Sequence, residues 1–247
     1  MKGVKMANLT WEEAEKAMKN YSIVMLPVGG GTKEHGYHLP CGTDLMIVEE
    51  LAARVVESAP VICLPTVPYA YYPAFVDWPG SISVQAQNFI AYVGDIIKSI
   101  AKQGIKKFLI LDGGVSTQAP LKILSSDLHN ELGVYVAVTN IEGIGKEIKA
   151  ELCKQERGGH ADEAETSSML FINETLVQMD KAVEEYRKGI LETTGATGVD
   201  KISMGRKVTT ESGVHGNATL ATVEKGNKIL TAQAADIIYF IEHFQSL

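Results

Sequence analysis

Apolar residues along this chain fall into two patterns, short unbroken runs and longer stretches with helical spacing. Ser22–Val28, Val61–Val67, Lys107–Leu111 and Gly133–Thr139 are the unbroken runs, with the composition of buried strands. Between them, Leu45, Val48, Leu51, Ala52 and Val55 line one face of a helix over Asp44–Glu57. Phe89, Ile90, Val93, Ile96, Ile97 and Ile100 do the same for a helix over Ser83–Lys102, which Gly104 ends. Thr10 and Glu13 form a capping-box signature that opens a short helix to Met18. Further helices are predicted at Pro120–Leu132, Ile144–Glu156, Val177–Lys188 and Leu220–His243, with a Gly/Thr-rich stretch over Thr193–Gly216. Strands that lack polar alternation and are separated by helices predict an α/β fold, with a parallel sheet covered on both faces. No repeat, low-complexity tract or linker divides residues 1–247, which read as a single domain.

Composition narrows the partners. A net charge of −7, with no basic stripe, argues against nucleic acid. No segment has the length and apolarity of a membrane span, and Met1–Lys19 is too polar for a signal peptide. Cys41, Cys63 and Cys153 are odd in number and widely spaced, so they give neither a disulfide framework nor a zinc ribbon. A reducing, cytoplasmic setting fits. Cys41 lies in a Gly-rich loop but has no base tied to it by spacing, and it reads as a bystander.

The candidate chemistry concentrates in Leu26–Asp44, L-P-V-G-G-G-T-K-E-H-G-Y-H-L-P-C-G-T-D, between a strand and a helix that Thr43 or Asp44 would cap. Glu34, His35, His38 and Asp44 offer imidazole nitrogen and carboxylate oxygen, donors that suit zinc, manganese or iron. The loop after a strand's carboxyl end is where open α/β sheets place their sites. A second cluster, His160, Asp162, Glu163 and Glu165, lies in G-G-H-A-D-E-A-E-T-S. A helix starting near Ala161 puts His160 and Glu163 on one face, able to reach a metal and its water, with Glu165 about 200° around from Glu163 as a brace. The aromatic stretch Pro68–Ser81 either lines a pocket for a flat polar substrate or packs on a neighbouring subunit. Tyr71 and Trp78 there, with His38, are the candidates for substrate contact. His215 in a loop, and His129 and His243 on helices, read as surface or structural residues.

These motifs resemble the creatininase (creatinine amidohydrolase) family. Residues 26–44 are similar to its L-P-x-G-x-x-E-Q-H-G-x-H-L-P-x-x-T-D, and residues 159–170 to its G-H-A-G-E-x-E-T-S-x-M-L. Pro79-Gly80-Ser81, Gly213-x-x-Gly216, Ala221-Thr222 and Glu224-Lys225-Gly226 match further family positions in order. The resemblance implies a three-layer α/β/α domain with a mostly parallel central sheet, assembled as a homo-oligomer, commonly a hexamer. It also implies one or two zinc or manganese ions and hydrolysis of an amide C–N bond in a small cyclic or formylated nitrogen compound. Carried over by position, Glu34, His35, Asp44 and Glu163 would bind metal, and His160 and Glu163 would act in catalysis.

Two positions depart from the family pattern. Gly114 stands where the family's N-G-H-G-G-N loop has a ligand histidine, and Glu34 abuts His35 so that Lys33 takes the place of a ligand glutamate. Fewer ligands imply a mononuclear or easily depleted site, or a ligand imported from His38 or His215. They also raise a second class of function, a non-catalytic relative acting as a ligand-binding or assembly subunit.

Overall fold

The computed structural model describes residues 2–188 and 210–247. Its centre is a five-stranded sheet of β1 (Val4–Lys5), β2 (Ile23–Val28), β3 (Ile62–Cys63), β4 (Lys107–Asp112) and β5 (Tyr135–Val138), in the order β1-β3-β2-β4-β5. Every pairing within it is parallel. The helices are α1 (Trp11–Asn20), α2 (Thr43–Ser58), α3 (Ala86–Ala101), α4 (Gln118–Leu132), α5 (Lys146–Leu152), α6 (Glu163–Asn173) and α7 (Val223–Phe244). A two-stranded antiparallel ribbon, β6 (Glu184–Glu185) with β7 (Gly216–Asn217), stands apart from the sheet.

Strand side chains alternate between two cores because successive residues point to opposite faces. Val24, Leu26, Phe108 and Ile110 join Phe89 and Val93 of α3 and Leu121 and Leu124 of α4. Ile23, Met25, Leu109 and Leu111 join Val48 and Leu51 of α2, Met169 of α6 and Leu230 of α7. Helices therefore cover both faces, as the apolar strands predict. This is the three-layer arrangement.

Connectivity places the site. From β2 the chain passes through α2 to β3 on one side, then through α3 to β4 on the other. The carboxyl end of β2 is thus a switch point, where the following loops diverge and leave a crevice. Val28 pairs with Asp112 and bridges to Val67, so the ends of three strand segments gather there.

Several local expectations change. Of the predicted Val61–Val67 strand, Ile62–Cys63 pairs as a strand and Val67 only as an isolated bridge to Val28, while Val4–Lys5 adds an edge strand too short to show periodicity. The charged helix predicted over Val177–Lys188 does not form. That segment holds a 3-10 turn at Met179–Lys181 and then β6, whose pairing with β7 takes the backbone bonds that a helix would use. Most of Thr193–Gly216 lies outside the described residues. Neither Thr43 nor Asp44 caps α2. Gly42 is the cap residue, Thr43 bonds back to the Pro40 carbonyl, and Asp44 serves other partners described below. No helix among the described residues is long and apolar enough to cross a membrane.

The crossing of α6 and α7 is close. A Cβ on Gly226 would strike the Ser167 carbonyl, so the two helices meet through bare backbone. A Gly226→Ala substitution is expected to force them apart and cost at least about 2 kcal/mol, as overpacking does. The measurement is the urea midpoint at unchanged slope, and an unmoved midpoint would contradict the packing.

Candidate metal centre and active site

Two arms converge over the switch point. The first is the loop from Gly29 to Gly42, folded back so that Lys33 N–H donates to the Cys41 carbonyl (2.9 Å) and Gly31 N–H to the Pro68 carbonyl (2.7 Å). The second is the turn into α6. There Asp162 is the N-cap, its side chain accepting from Ala164 and Glu165 N–H, and Ala161 takes a left-handed φ of +48°. His160, just before the kink, is held in an antiparallel bridge to His215.

That kink separates the residues expected to share a face. The helix begins at Glu163, not near Ala161, so His160 lies outside it and turns toward the first arm. Its Nε2 meets Glu34 Oε2 at 3.0 Å, and its ring packs on Phe75 (4.7 Å between centroids) and His35 (4.9 Å). Glu163 goes the other way. Fully buried, it accepts from Lys225 Nζ (2.5 Å) and from the N–H groups of Lys154 (2.7 Å) and Gln155 (2.8 Å). It is therefore not brought to the two histidines. Glu165, expected as a brace, comes instead: His35, His160 and Glu165 each offer a donor atom, all within 4.8 Å of one another.

Glu34 and Asp44 stand behind these donors. Asp44 takes His35 Nε2 on Oδ1 (2.8 Å) and an ion pair from Lys33 Nζ at Oδ2 (2.7 Å). Burial alone would raise the Asp44 pKa, but the Lys33 charge and then His35 hold it well below the usual carboxylate range. Glu34 is likewise lowered: burial opposes ionisation, and the His160 hydrogen bond, the His160 charge and the Gly36 N–H outweigh it. A Cβ on Gly213 would collide with the Glu34 carboxylate, which explains a glycine at that point. Burial pushes Glu165 up to about 7 and His160 down to about 4.

The cluster opens on a cavity of about 570 Å³, whose wall includes Lys33, Asp44, Tyr71, Tyr72, Phe75, His160 and Glu165. Tyr71 reaches that wall, whereas Trp78 is packed in the core cluster beside Phe75 and does not line it. His38 does not line it either. Its Nε2 is 2.8 Å from Thr166 Oγ1, which ties the first arm to α6. His215 lines the cavity on its far side with Lys149 and Arg187. The cysteines are free and none lines the cavity, in keeping with a bystander Cys41. Sequence reasoning missed Glu165 as a cluster member and Lys33 and Tyr72 as cavity walls. The G-H-A-D run held a usable signal, because Asp162 as N-cap starts the helix at Glu163, two residues after Ala161.

A creatininase family model, described as creatinine amidohydrolase, matches residues 7–241. The chain is 26% identical to the 3-dehydro-scyllo-inosose hydrolase of Thermotoga maritima, over 92% of this chain and 78% of that protein. Two solved structures share its fold. One is a zinc–zinc form of a creatininase mutant (TM-score 0.83, 24% identity, 99% of each chain covered). The other is a manganese creatininase (TM-score 0.80, 22% identity, covering 98% of this chain and 99% of that one).

Burial, then the nearby His35, lowers the His38 pKa to about 4, against 6.5 ordinarily. The unfolded chain therefore takes up a proton that folded His38 refuses, and His38 makes folding less favourable as pH falls from 6.5 toward 4. Nitrogen-15 spectra of the folded protein are expected to show a neutral His38 ring at pH 5.5. A His38 titration centred near 6.5 would contradict its burial.

Proposed function

The chain is a member of the creatininase family, and from that premise we propose that it is a metal-dependent hydrolase cleaving an amide C–N bond in a small cyclic or formylated nitrogen compound. The observation carrying this reading is the convergence of His35, His160 and Glu165, the last two of which line the wall of a cavity sized for a small molecule. Two imidazoles and one carboxylate fit zinc or manganese, and leave positions open for water and substrate. The retained donors favour a hydrolase over a non-catalytic subunit. The family description supplies the amide bond, and the Thermotoga relative is itself a hydrolase by name.

In this reading His35, His160 and Glu165 hold the ion. When bound, the ion supplies an acidified water and polarises the carbonyl. The chain's own groups prepare the rest. Glu34 orients His160 through its Nε2, and the Lys33 carbonyl at Nδ1 (3.0 Å) with Asp44 at Nε2 (2.8 Å) orients His35, so an ion bound by His35 would take the place of one of these two partners. Burial keeps His160 neutral at physiological pH, so a nitrogen lone pair is available. Tyr71, Tyr72 and Phe75 give the cavity flat apolar faces that suit a planar amide and exclude bulk water. Glu163 has a structural task, joining the start of α6 to Lys225 of α7.

The same family membership leads us to take the protein as a homo-oligomer, with exposed Tyr239 and Phe240 among the apolar surface available for assembly, and its free cysteines lead us to place it in the cytoplasm. A monomer in analytical ultracentrifugation would remove that part of the proposal.

Chelation is expected to abolish release of amine from a panel of cyclic and formyl amides, and zinc or manganese to restore it. Glu165→Gln should weaken metal binding at least about 10-fold. Glu163→Ala should leave metal bound per folded chain unchanged while costing about 3 kcal/mol of stability, the penalty for leaving a buried ion pair half-broken. Full turnover after exhaustive chelation, or metal loss in Glu163→Ala but not in Glu165→Gln, would overturn the assignment.

A further inference from the structure

Lys33 is a lysine whose ammonium does not reach for solvent. The residue is only 6% exposed, although a four-carbon stem usually carries the charge outward. Its Nζ lies 2.7 Å from Asp44 Oδ2 and near two aromatic rings, 5.0 Å from the centroid of Tyr72 and 4.9 Å from that of Phe75. Among the described residues Asp44 is its one ionic partner. Lys33 lines the cavity together with His160 and Glu165.

Both carboxylate oxygens of Asp44 already face a partner. One carboxylate oxygen belongs to His35 and the other to Lys33. Across from them, a Cβ on Gly114 would lie 2.6 Å from Thr117 Oγ1 and 2.9 Å from Tyr72 Cε1. With Tyr72 buried in its present place, position 114 has no room for a ligand side chain. Asp112, two residues earlier, is committed to Thr117 Oγ1 and Gln118 Nε2. Among the described residues His35, His160 and Glu165 thus form the one group of three donors, available once the ion takes a His35 nitrogen from its present partner, and no second such group includes Asp44.

We propose that this centre takes a single metal ion and that the Lys33 ammonium is its second cation, built into the chain and aimed at the substrate's carbonyl oxygen. This rests on the hydrolase reading above. A fixed ammonium on the cavity wall is a preorganised donor for the oxygen on which negative charge develops. Asp44 holds it in place, and the aromatic faces shield it from water that would otherwise screen it. The arrangement differs from the zinc–zinc form of the creatininase neighbour by exchanging one exchangeable ion for a covalently attached one.

The test is metal counting by plasma mass spectrometry on the full chain saturated with manganese, with electron paramagnetic resonance of the same sample. One ion per chain and the six-line signal of isolated Mn(II) are expected. Two ions per chain with a spin-coupled signal would overturn this inference while leaving the hydrolase reading intact, and no bound ion would overturn both. Lys33→Met is expected to keep one ion and lose about 100-fold or more in kcat with little change in KM, as removal of an oxyanion donor does. Lys33→Arg, which keeps the charge should Lys33→Met fail to fold, is expected to retain the single ion and more activity than Lys33→Met. Unchanged kcat in a folded Lys33→Met with one ion bound would refute the role of the ammonium.

Discussion

A carboxylate buried in the first turn of a helix organises this molecule. Asp44 sits at the start of α2, where unpaired backbone N–H groups favour a negative charge. Such a charge is costly away from water unless it is paired. Lys33 and His35, both from the preceding loop, provide the pairing. The loop must therefore fold back over the helix that follows it, which its Gly29-Gly30-Gly31 run allows. Once it does, a cation and an imidazole are fixed at the switch point of the sheet.

The second arm is attached to the first by buried polar contacts rather than by apolar packing alone. His160 meets Glu34, His38 meets Thr166, and the Gln178 N–H donates to the His38 carbonyl (2.9 Å). Behind them, the Lys225–Glu163 pair and the bare-backbone crossing at Gly226 fix where α6 begins. The Glu-Lys-Gly run at 224–226 thereby has a physical meaning. Two of its residues set the position of the helix that presents Glu165, without touching the cavity.

The sheet and its covering helices were legible in the sequence because their signal is local periodicity. Apolar runs at Ile23–Val28 and Lys107–Asp112, and the stripe along α3, need no knowledge of distant residues. The Thr10–Glu13 capping box was legible for the same reason. The loop carrying His35 was legible as a site because donor residues crowd a strand-to-helix turn. Which acid completes the cluster was not, since it depends on a single left-handed residue, Ala161, that offsets the helix from His160. The segment from Val177 departs from its helical pattern because pairing between β6 and β7 is a long-range event that helical propensity does not register. In the sequence Lys33 is a departure from the ligand pattern, and only its burial against Asp44, Tyr72 and Phe75 reveals it as a charge in its own right.

The most direct measurement is anomalous diffraction at the manganese edge from crystals of the wild-type protein grown with that ion. A single peak within coordination distance of a nitrogen of His35, a nitrogen of His160 and a carboxylate oxygen of Glu165 is the outcome this account predicts. A peak on Asp44 with Lys33 displaced, a peak beside Glu163, or no peak at all would contradict it.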